Sequence, residues 1–296
     1  MLCPICNQSS QVTFTAHGYG IRDCSACHHR FADVSVDATH TQQVYDDQYF
    51  QGGGAGYPDY LGEARILRNH GRWYGKRLAN YLSAGTMLDV GAAAGFVLQG
   101  FMDCGWQGHG IEPNPKMASY ARETLGIPVQ AGALENLQTT EPYDLVSMIQ
   151  VVAHFADLRR ALQVACDATK PSGYWLIETW NKDSLAARFF GQNWHEYSPP
   201  SVLHWFSPTT LKSLAAQYGF REVACGRPSK WINGGHAKSL LQYKLEGIPL
   251  GNQAGRLLNL LPEYLPLPYL ADDLFWMLLR KEDLPQIRQM NADAVP

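Results

Sequence analysis

The chain has 296 residues, of which 46% are apolar and 17% charged, and its formal net charge is −3. This length suffices for one large α/β domain and a small additional unit. A protein whose main partner is nucleic acid usually carries a basic excess, and none is visible here. No leader-like apolar segment opens the chain, and no apolar stretch reaches the ~20 residues that span a bilayer. We therefore expect a cytoplasmic protein.

Two C-x-x-C pairs, Cys3-Pro4-Ile5-Cys6 and Cys24-Ser25-Ala26-Cys27, lie near the start of the sequence. Four thiolates in two such turns can close a tetrahedron around Zn²⁺, as in a zinc ribbon. A disulfide pair and a redox C-x-x-C are the alternatives, but the first suits a secreted protein and the second needs no second copy. A four-cysteine site leaves no open coordination position, so we expect Cys3, Cys6, Cys24 and Cys27 to hold a structural zinc ion. The neighbouring His28 and His29 are expected at the surface.

Residues 44–60 combine tyrosines with many glycines. The glycines favour a flexible chain and the rings offer a packing surface, which suits a lid over a bound ligand as well as a plain linker. A helix is predicted over residues 61–82, where apolar residues recur at roughly helical spacing. The expected organisation is a zinc ribbon at 1–40, a lid and helical lead-in at 41–84, and a large domain at 85–296.

The stretch from Met87 to Pro113 carries the strongest functional signal. Leu88 and Val90 suit a short buried strand, and the glycines at 91 and 95 then allow a tight turn and a close approach of the backbone to a ligand. About twenty residues after this loop, Glu112 ends a second apolar strand. A carboxylate at this place can accept hydrogen bonds from both hydroxyls of a ribose, which indicates an adenosine-containing ligand.

The spacing of the glycines distinguishes two kinds of cofactor site. A dinucleotide site requires G-x-G-x-x-G, whereas this loop lacks the middle glycine and has Asp89 just ahead of it. The order Asp-x-Gly-x-x-x-Gly resembles motif I of class I S-adenosylmethionine (SAM) methyltransferases. In that family the glycines pass beside the methionine part of the cofactor, and the aspartate orients the loop or its waters. The resemblance implies cofactor contacts from Asp89, Gly91, Ala92, Gly95, Glu112 and Pro113.

Strands and helices alternate through the next part of the chain. Strands are predicted at 128–132, 143–150 and 174–179, with a helix opened by Asn114-Pro115, a helix capped by Asp157 and a turn at 170–173. This alternation predicts a doubly wound, mostly parallel sheet with its ligand at the carboxyl ends of the strands. Gly91, Glu112, Gly132, Gln150 and Thr179 would lie at that edge. The resemblance adds Ala133 and Leu134 as adenine contacts, and Gln150 and Tyr49 complete the expected cofactor contacts.

Residues 189–206 are unusually rich in aromatic residues and histidines. This segment suits either a packed surface flap or one wall of a substrate pocket. Transfer of a methyl group to a hydroxyl or an enolisable carbon is helped by a general base with a pKa near neutral, for which histidine is the natural residue. The candidates are His154, His195 and His204, with Tyr197 as a hydrogen-bond partner.

The last third of the sequence completes the predicted sheet. A helix begins at Ser207-Pro208, a sixth strand follows Gly219, and a last buried strand covers 273–280. Between them, an insertion at about 235–268 includes an apolar stretch with four prolines, which we interpret as a helical hairpin that covers the pocket or joins subunits. The single cysteines at 104, 166 and 225 are expected to be small buried hydrophobic residues.

Taken together, these motifs resemble class I SAM-dependent methyltransferases with an N-terminal zinc ribbon, related to bacterial sugar C-methyltransferases and ubiquinone-type methylases. The resemblance covers nearly the whole chain, and it implies a Rossmann-like, seven-stranded sheet whose last strand is antiparallel. One departure is notable. Relatives often have Leu-Glu-His after the fourth strand, where this chain has Val152-Ala153-His154. The missing acid weakens an assignment to C-methylation.

Three functions are compatible with the sequence. The first is SAM-dependent O- or C-methylation of a small molecule by a monomer or homodimer. The second is methylation of RNA, since some rRNA-modifying enzymes join a zinc finger to this fold, although the acidic balance argues against it. The third is a SAM-binding protein without catalysis, which the missing acid at Ala153 leaves open.

Overall fold

The computed structural model describes residues 1–36, 40–45, 49–50, 59–137, 141–235, 237–238, 262–263, 265–269 and 272–282. A seven-stranded sheet forms its centre. Its strands are β4 (Thr86–Val90), β5 (Gln107–Glu112), β6 (Val129–Ala131), β7 (Tyr143–Ile149), β8 (Thr169–Trp180), β10 (Phe220–Gly226) and β13 (Leu274–Lys281), in the order β10-β13-β8-β7-β4-β5-β6. The strands from β8 to β6 are parallel, while β13 runs antiparallel to both β8 and β10. The predicted fold class is confirmed, including the antiparallel last strand.

Helices flank this sheet. They are α2 (Ala64–Leu78), α3 (Phe96–Met102), α4 (Pro115–Leu125), α5 (Leu158–Asp167), α6 (Leu185–Phe190) and α7 (Pro208–Ala216), with a short α1 (His40–Val44) before them. Local capping fixes where several of them begin. The Asn114 side chain accepts hydrogen bonds from the first turn of α4, and Asp157 caps α5 as predicted. No helix in the described ranges is long and apolar enough to cross a membrane.

A second, four-stranded sheet adjoins the two cysteine pairs, of which only Cys24 lies in a strand. Its strands β1 (Ser10–Ala16), β2 (Tyr19–Cys24) and β3 (Arg30–Ala32) are antiparallel, and the fourth strand is β9 (His204–Trp205) from the aromatic segment. The main chain links continue beyond β9, since Ala32 N–H donates to Leu203 O at 2.9 Å. Leu203 N–H in turn donates to Ala153 O at 2.9 Å. Residues 203–205 therefore connect the ribbon to the end of β7.

Four local expectations need correction. His29 is fully buried, because its ring packs between Phe31, His204 and Phe206, whereas His28 is exposed as expected. Cys225 is exposed, since it lies on β10 at the edge of the sheet, and Cys104 and Cys166 are only partly buried.

Residues 170–173 do not separate two elements, because they lie within strand β8, at an irregularity in its pairing with β7. Thr169 pairs with Tyr143 and Tyr174 already pairs with Leu145. Helix α2 ends at Leu78, four residues before the predicted end. Most of the proposed hairpin at 248–268 lies outside the described residues. Its last part, Pro266–Pro268 (β12), pairs with Trp231–Asn233 (β11).

Candidate cofactor and acceptor site

The loop after β4 and the carboxylate of Glu112 form one hydrogen-bonded unit. Glu112 Oε2 accepts from Ala93 N–H at 2.9 Å, and its Oε1 accepts from Asn114 N–H at 2.7 Å. The same Asn114 caps helix α4, so the start of that helix fixes the carboxylate. Each carboxylate oxygen has a further lone pair, and the pair can accept from two neighbouring hydroxyl groups. That Glu112 contacts a ribose stays a prediction.

Glycine is required in the loop at Gly91. Its φ is +68°, and a Cβ atom there would lie 2.7 Å from Val151 Cγ2. Gly95 also has a positive φ, of +82°, but an added Cβ would meet Ala121 and Ile127 at 3.3 Å. Gly91 therefore faces the end of β7, whereas Gly95 packs against Ala121 in α4 and Ile127 just after it, and does not line the cavity.

A cavity of about 240 Å³ lies at the carboxyl edge of the sheet. Among the predicted site residues it is lined by Tyr49, Asp89, Gly91, Ala92, Glu112, Pro113, Ala133, Leu134, Gln150, His154 and His195. Of the expected edge residues, Gly132 also lines it, while Trp180 takes the place expected for Thr179. The cavity thus brings the predicted adenosine contacts and two of the three histidines together.

Burial raises the pKa of both acids beside the loop. The pKa of Glu112 rises to about 7, although the N–H groups of Asn114 and Ala93 oppose this. The pKa of Asp89 also rises to about 7, against the hydrogen bond that its Oδ1 accepts from Ser147 Oγ at 2.6 Å. That bond ties β4 to β7, so Asp89 holds the loop where the two strands end.

His154 lies in the cavity wall with a defined tautomer. Its Nδ1 is 2.8 Å from Ser201 O, and a carbonyl can only accept, so Nδ1 carries the proton. Nε2 is then the basic nitrogen of the neutral ring. Tyr45 packs edge-on against this ring and donates its hydroxyl to the same Ser201 O at 2.8 Å. Burial lowers the pKa of His154, which keeps the ring neutral.

His195 occupies another part of the wall. Its Nε2 lies 3.1 Å from Glu196 Oε1, and its ring meets Trp180 edge-on at 5.4 Å between centroids. The other ring nitrogen, Nδ1, is buried and has no hydrogen-bond partner among the described residues. An imidazole that faces a carboxylate with one nitrogen and has its other nitrogen open is suited to accept a proton.

His204 and Tyr197 do not line the cavity, so the expectation that they lie at the ligand edge is wrong. His204 Nε2 donates to Phe155 O at 3.0 Å, and its Nδ1 therefore accepts from His29 Nε2 at 3.1 Å. Tyr197 binds Arg30 of the ribbon through its hydroxyl. Strand β9 pairs with β3, and this pairing turns both side chains toward the ribbon.

A network around Glu178 escaped the sequence analysis. Its carboxylate is fully buried and accepts hydrogen bonds from Tyr74 Oη, His70 Nε2 at 2.9 Å and Gln150 Nε2 at 2.7 Å. Although burial disfavours the charge, His70 and the other donors lower the pKa of Glu178 to about 2. Lys230 joins the network by donating to Gln150 Oε1 at 3.1 Å. The only signal in the sequence was an acid inside an otherwise apolar strand.

The four N-terminal cysteines fit a metal ion. Their sulfur atoms all lie within 4.8 Å of one another, with Cys3 and Cys27 3.6 Å apart and Cys6 and Cys24 3.4 Å apart. A tetrahedral zinc site with Zn–S bonds of about 2.3 Å has sulfur atoms roughly 3.8 Å apart. This cluster is the one group of possible metal ligands found among the described residues.

The tyrosine-rich segment contributes Tyr45, Tyr49, Phe50 and Tyr60 to the cavity wall. Phe50 and Tyr60 pack edge-on at 5.4 Å, and Tyr60 stacks on Phe96 at the start of α3. Residues 46–48 and 51–58 lie outside the described ranges. The segment is therefore part of the wall, and whether it moves as a lid stays a prediction.

Comparisons with known proteins identify the family of this chain. The sequence profile described as "Methyltransferase domain" matches residues 67–224. The mitochondrial ubiquinone biosynthesis O-methyltransferase of Homo sapiens is 30% identical over 149 residues, which cover 45% of this chain and 40% of that protein. The enzyme of the same name from Bradyrhizobium sp. is 29% identical, over 43% of this chain and 50% of its own.

The chain spans about half or less of the length of these relatives. Among solved structures, a complex of the Haloferax volcanii Trm112 methyltransferase activator with a methyltransferase aligns with a TM-score of 0.52 at 15% identity. That alignment covers 74% of this chain and 93% of the other. The profile match, which spans more than half of the sequence, and the shared sheet show that this chain belongs to the methyltransferase domain family, with the class I SAM-dependent methyltransferase fold.

Proposed function

We propose that this protein transfers a methyl group from SAM to an oxygen atom of a small-molecule acceptor. The Glu112 carboxylate, fixed by Ala93 and Asn114 beside the glycine loop and open to an enclosed cavity, is the observation that carries the proposal. The names of the matched relatives, ubiquinone biosynthesis O-methyltransferases, favour oxygen over carbon as the methylated atom.

In this proposal different residues of the cavity wall bind different parts of the cofactor. Glu112 accepts the ribose hydroxyls, Ala133 and Leu134 contact the adenine, and Gly91 gives room beside the methionine part. SAM supplies an already activated methyl group, so the protein must orient the acceptor, exclude water and remove a proton. The aromatic residues from the tyrosine-rich segment cover the cavity and exclude water.

We assign the proton acceptor to His195 ahead of His154. Both rings line the cavity, but only His195 also faces a carboxylate, that of Glu196, and its Nδ1 has no hydrogen-bond partner among the described residues. A carboxylate behind an imidazole stabilises the imidazolium that forms when the ring takes up a proton. The acid missing from position 153 is therefore replaced from a different segment of the chain.

We also propose that Cys3, Cys6, Cys24 and Cys27 hold a structural zinc ion, because the chemistry and spacing of the sulfur atoms fit it. Four thiolates saturate the metal, so the ion would stabilise the ribbon and take no part in methyl transfer.

Calorimetric titration with SAM and S-adenosylhomocysteine tests the cofactor assignment. We expect micromolar binding that Glu112→Ala weakens by about 1–3 kcal/mol, the scale for leaving a hydrogen-bond partner unpaired. The matched control is Glu123→Ala, an exposed acid on α4 whose removal should leave the affinity unchanged. Absence of binding by the wild type would refute the proposal. Binding without transfer to any acceptor in a screen with labelled SAM would indicate a SAM-binding protein without catalysis.

A further inference from the structure

Lys230 brings a positive charge into the cavity wall. Among the described residues that line the cavity, it is the single lysine or arginine. Its ammonium group lies 4.9 Å from the centre of the Trp180 ring and 5.6 Å from that of Tyr269. Two aromatic faces and one hydrogen bond to Gln150 Oε1 hold the group in place.

The orientation of Gln150 follows from its other partner. Its amide nitrogen donates to Glu178 Oε1, so its oxygen must point to Lys230. The main chain at Gln150 has a φ of +57°, which is strained for a residue other than glycine, and its N–H donates to Glu178 O at 2.7 Å. Glu178 therefore fixes Gln150, and Gln150 fixes Lys230.

No carboxylate oxygen lies within 4.0 Å of Lys230 Nζ in the part of the chain that the structure describes. Four acids act on its charge, Glu63, Glu178, Glu196 and Asp273, and each of them has another partner. Glu178 has three donors, Asp273 accepts from Trp194 and Tyr269, and Glu196 faces His195. An ammonium group has three N–H donors, and Gln150 accepts from one of them. The remaining donors of Lys230 are available to a molecule in the cavity.

The strand order separates Lys230 from the ribose contact. Glu112 ends β5, whereas Trp180, which carries the Lys230 ammonium on its face, ends β8. Strands β4 and β7 lie between them, so the two ends are about 14 Å apart at a spacing of about 4.8 Å per strand. The adenine contacts Ala133 and Leu134 follow β6, on the far side of β5. Lys230 therefore lies away from the ribose and adenine contacts, between Gln150 at the end of β7 and Trp180 at the end of β8, and the ring of His195 contacts the same Trp180.

We propose that Lys230 binds an anionic oxygen of the methyl acceptor, such as a carboxylate or an ionised phenol, and thereby selects acidic acceptors. This inference rests on the proposed function, because it takes the Glu112 end for the cofactor. A charge-assisted hydrogen bond to a partly desolvated ammonium group is roughly twice as strong as a neutral one, which gives selectivity between acceptors of equal shape.

The test compares benzoate with benzamide, a neutral molecule of nearly the same shape, as ligands of the complex with S-adenosylhomocysteine. We expect the wild type to bind benzoate about tenfold more tightly, in line with one charge-assisted hydrogen bond. Lys230→Met should remove this preference, and Lys230→Arg, which keeps the charge, should retain most of it. Lys212→Met, at an exposed lysine on α7 that pairs with Glu222, should behave as the wild type. The proposal would be overturned if the wild type did not bind benzoate, or if Lys230→Met preferred benzoate over benzamide as strongly as the wild type does.

A second measurement excludes the carboxylate of the cofactor as the partner of Lys230. S-adenosylhomocysteine has this carboxylate and methylthioadenosine lacks it. We expect Lys230→Met to bind each of them as tightly as the wild type does, which also shows that the variant is folded. A loss of affinity confined to S-adenosylhomocysteine would assign Lys230 to the cofactor and overturn the inference. Failure of the wild type to bind either nucleoside would instead refute the proposed function.

Discussion

The Nε2 atom of His29 donates a hydrogen bond to Nδ1 of His204 across 3.1 Å, at the buried junction between the ribbon and the large sheet. His204 has no nitrogen left to take up a proton without breaking this bond. Burial, the main cause, and the nearby His154 lower the pKa of His204 to about 4, although the hydrogen bond to Phe155 O opposes this.

Acid should therefore destabilise this junction. The unfolded His204 takes up a proton below its ordinary pKa of 6.5, but the folded one does so only near 4, so stability falls as the pH drops through this window. Between pH 7 and 5 the loss is about 2 kcal/mol. The free energy of unfolding, measured with urea, should change less between pH 7 and 5 in His204→Gln than in the wild type, by about this amount. In His109→Gln, at an exposed position, it should change as much as in the wild type. If the free energy of unfolding changed equally with pH in all three proteins, the pH dependence would not come from His204.

Gly91 and Gly126 form a matched pair for testing the loop. Their φ angles are +68° and +67°, so alanine carries a similar backbone cost of about 1–2 kcal/mol at either position. Only at Gly91 would the new Cβ meet a side chain, Val151 at 2.7 Å, while Gly126 has open space. We expect Gly91→Ala to lose at least about tenfold in SAM affinity by calorimetry, a cost of about 1.4 kcal/mol. Gly126→Ala should bind SAM normally, and equal affinities would show that the loop does not contact the cofactor.

The raised pKa of Glu112, caused by its burial, predicts pH-dependent cofactor binding. Ribose hydroxyls donate to the ionised carboxylate, so at a pKa of about 7 binding of S-adenosylhomocysteine should weaken as the pH falls below that value. From pH 8 to pH 6 the expected loss is about tenfold, since roughly nine tenths of the carboxyl groups are then protonated. Glu112→Gln should be weaker at pH 8 and much less dependent on pH. A variant with the same pH dependence as the wild type would place the titrating group elsewhere.

Cys24→Ser should lower the zinc content of the purified protein, measured by mass spectrometry of the metal, from one ion per chain to well below one. Loss of the ion removes the tie between β2 and the first cysteine pair, and a loss of about 2–3 kcal/mol would lower Tm by roughly 5–10 °C. Cys225→Ser is the control, because Cys225 is exposed and lies outside the cluster. Wild-type protein that contains no zinc and tolerates chelators would contradict a structural metal.

The backbone of the cofactor site could be predicted from the sequence because its signals are local. One βαβ unit contains all of them: a short apolar strand, Gly91 with its positive φ, and an acid about twenty residues later. The number of strands, seven, and the antiparallel last strand came from the resemblance instead. Nothing within β13 itself distinguishes an antiparallel strand from a parallel one.

The part of the cavity around Lys230 was not predictable in this way, because its residues come from distant parts of the chain. Glu178, Gln150 and Lys230 meet only after β7, β8 and the segment that follows β10 are placed side by side. His204 was assigned to the wrong side for a related reason. Its segment looks like a pocket wall in composition, but its register depends on pairing with β3, more than 170 residues earlier.

Strand β9 has a consequence for any shortened form of this protein. Its two residues pair with β3, and around them Trp194, Tyr197, Val202 and Trp205 share one apolar cluster with Ile21 and Ala32 of the ribbon. A chain that started after the ribbon would expose this cluster together with an unpaired strand edge, which is a combination that favours aggregation. It would also release the segment that positions His195 and the Ser201 carbonyl bound by His154. The ribbon is therefore not a detachable module: grafting or deleting it would also disturb the cavity at the edge of the large sheet.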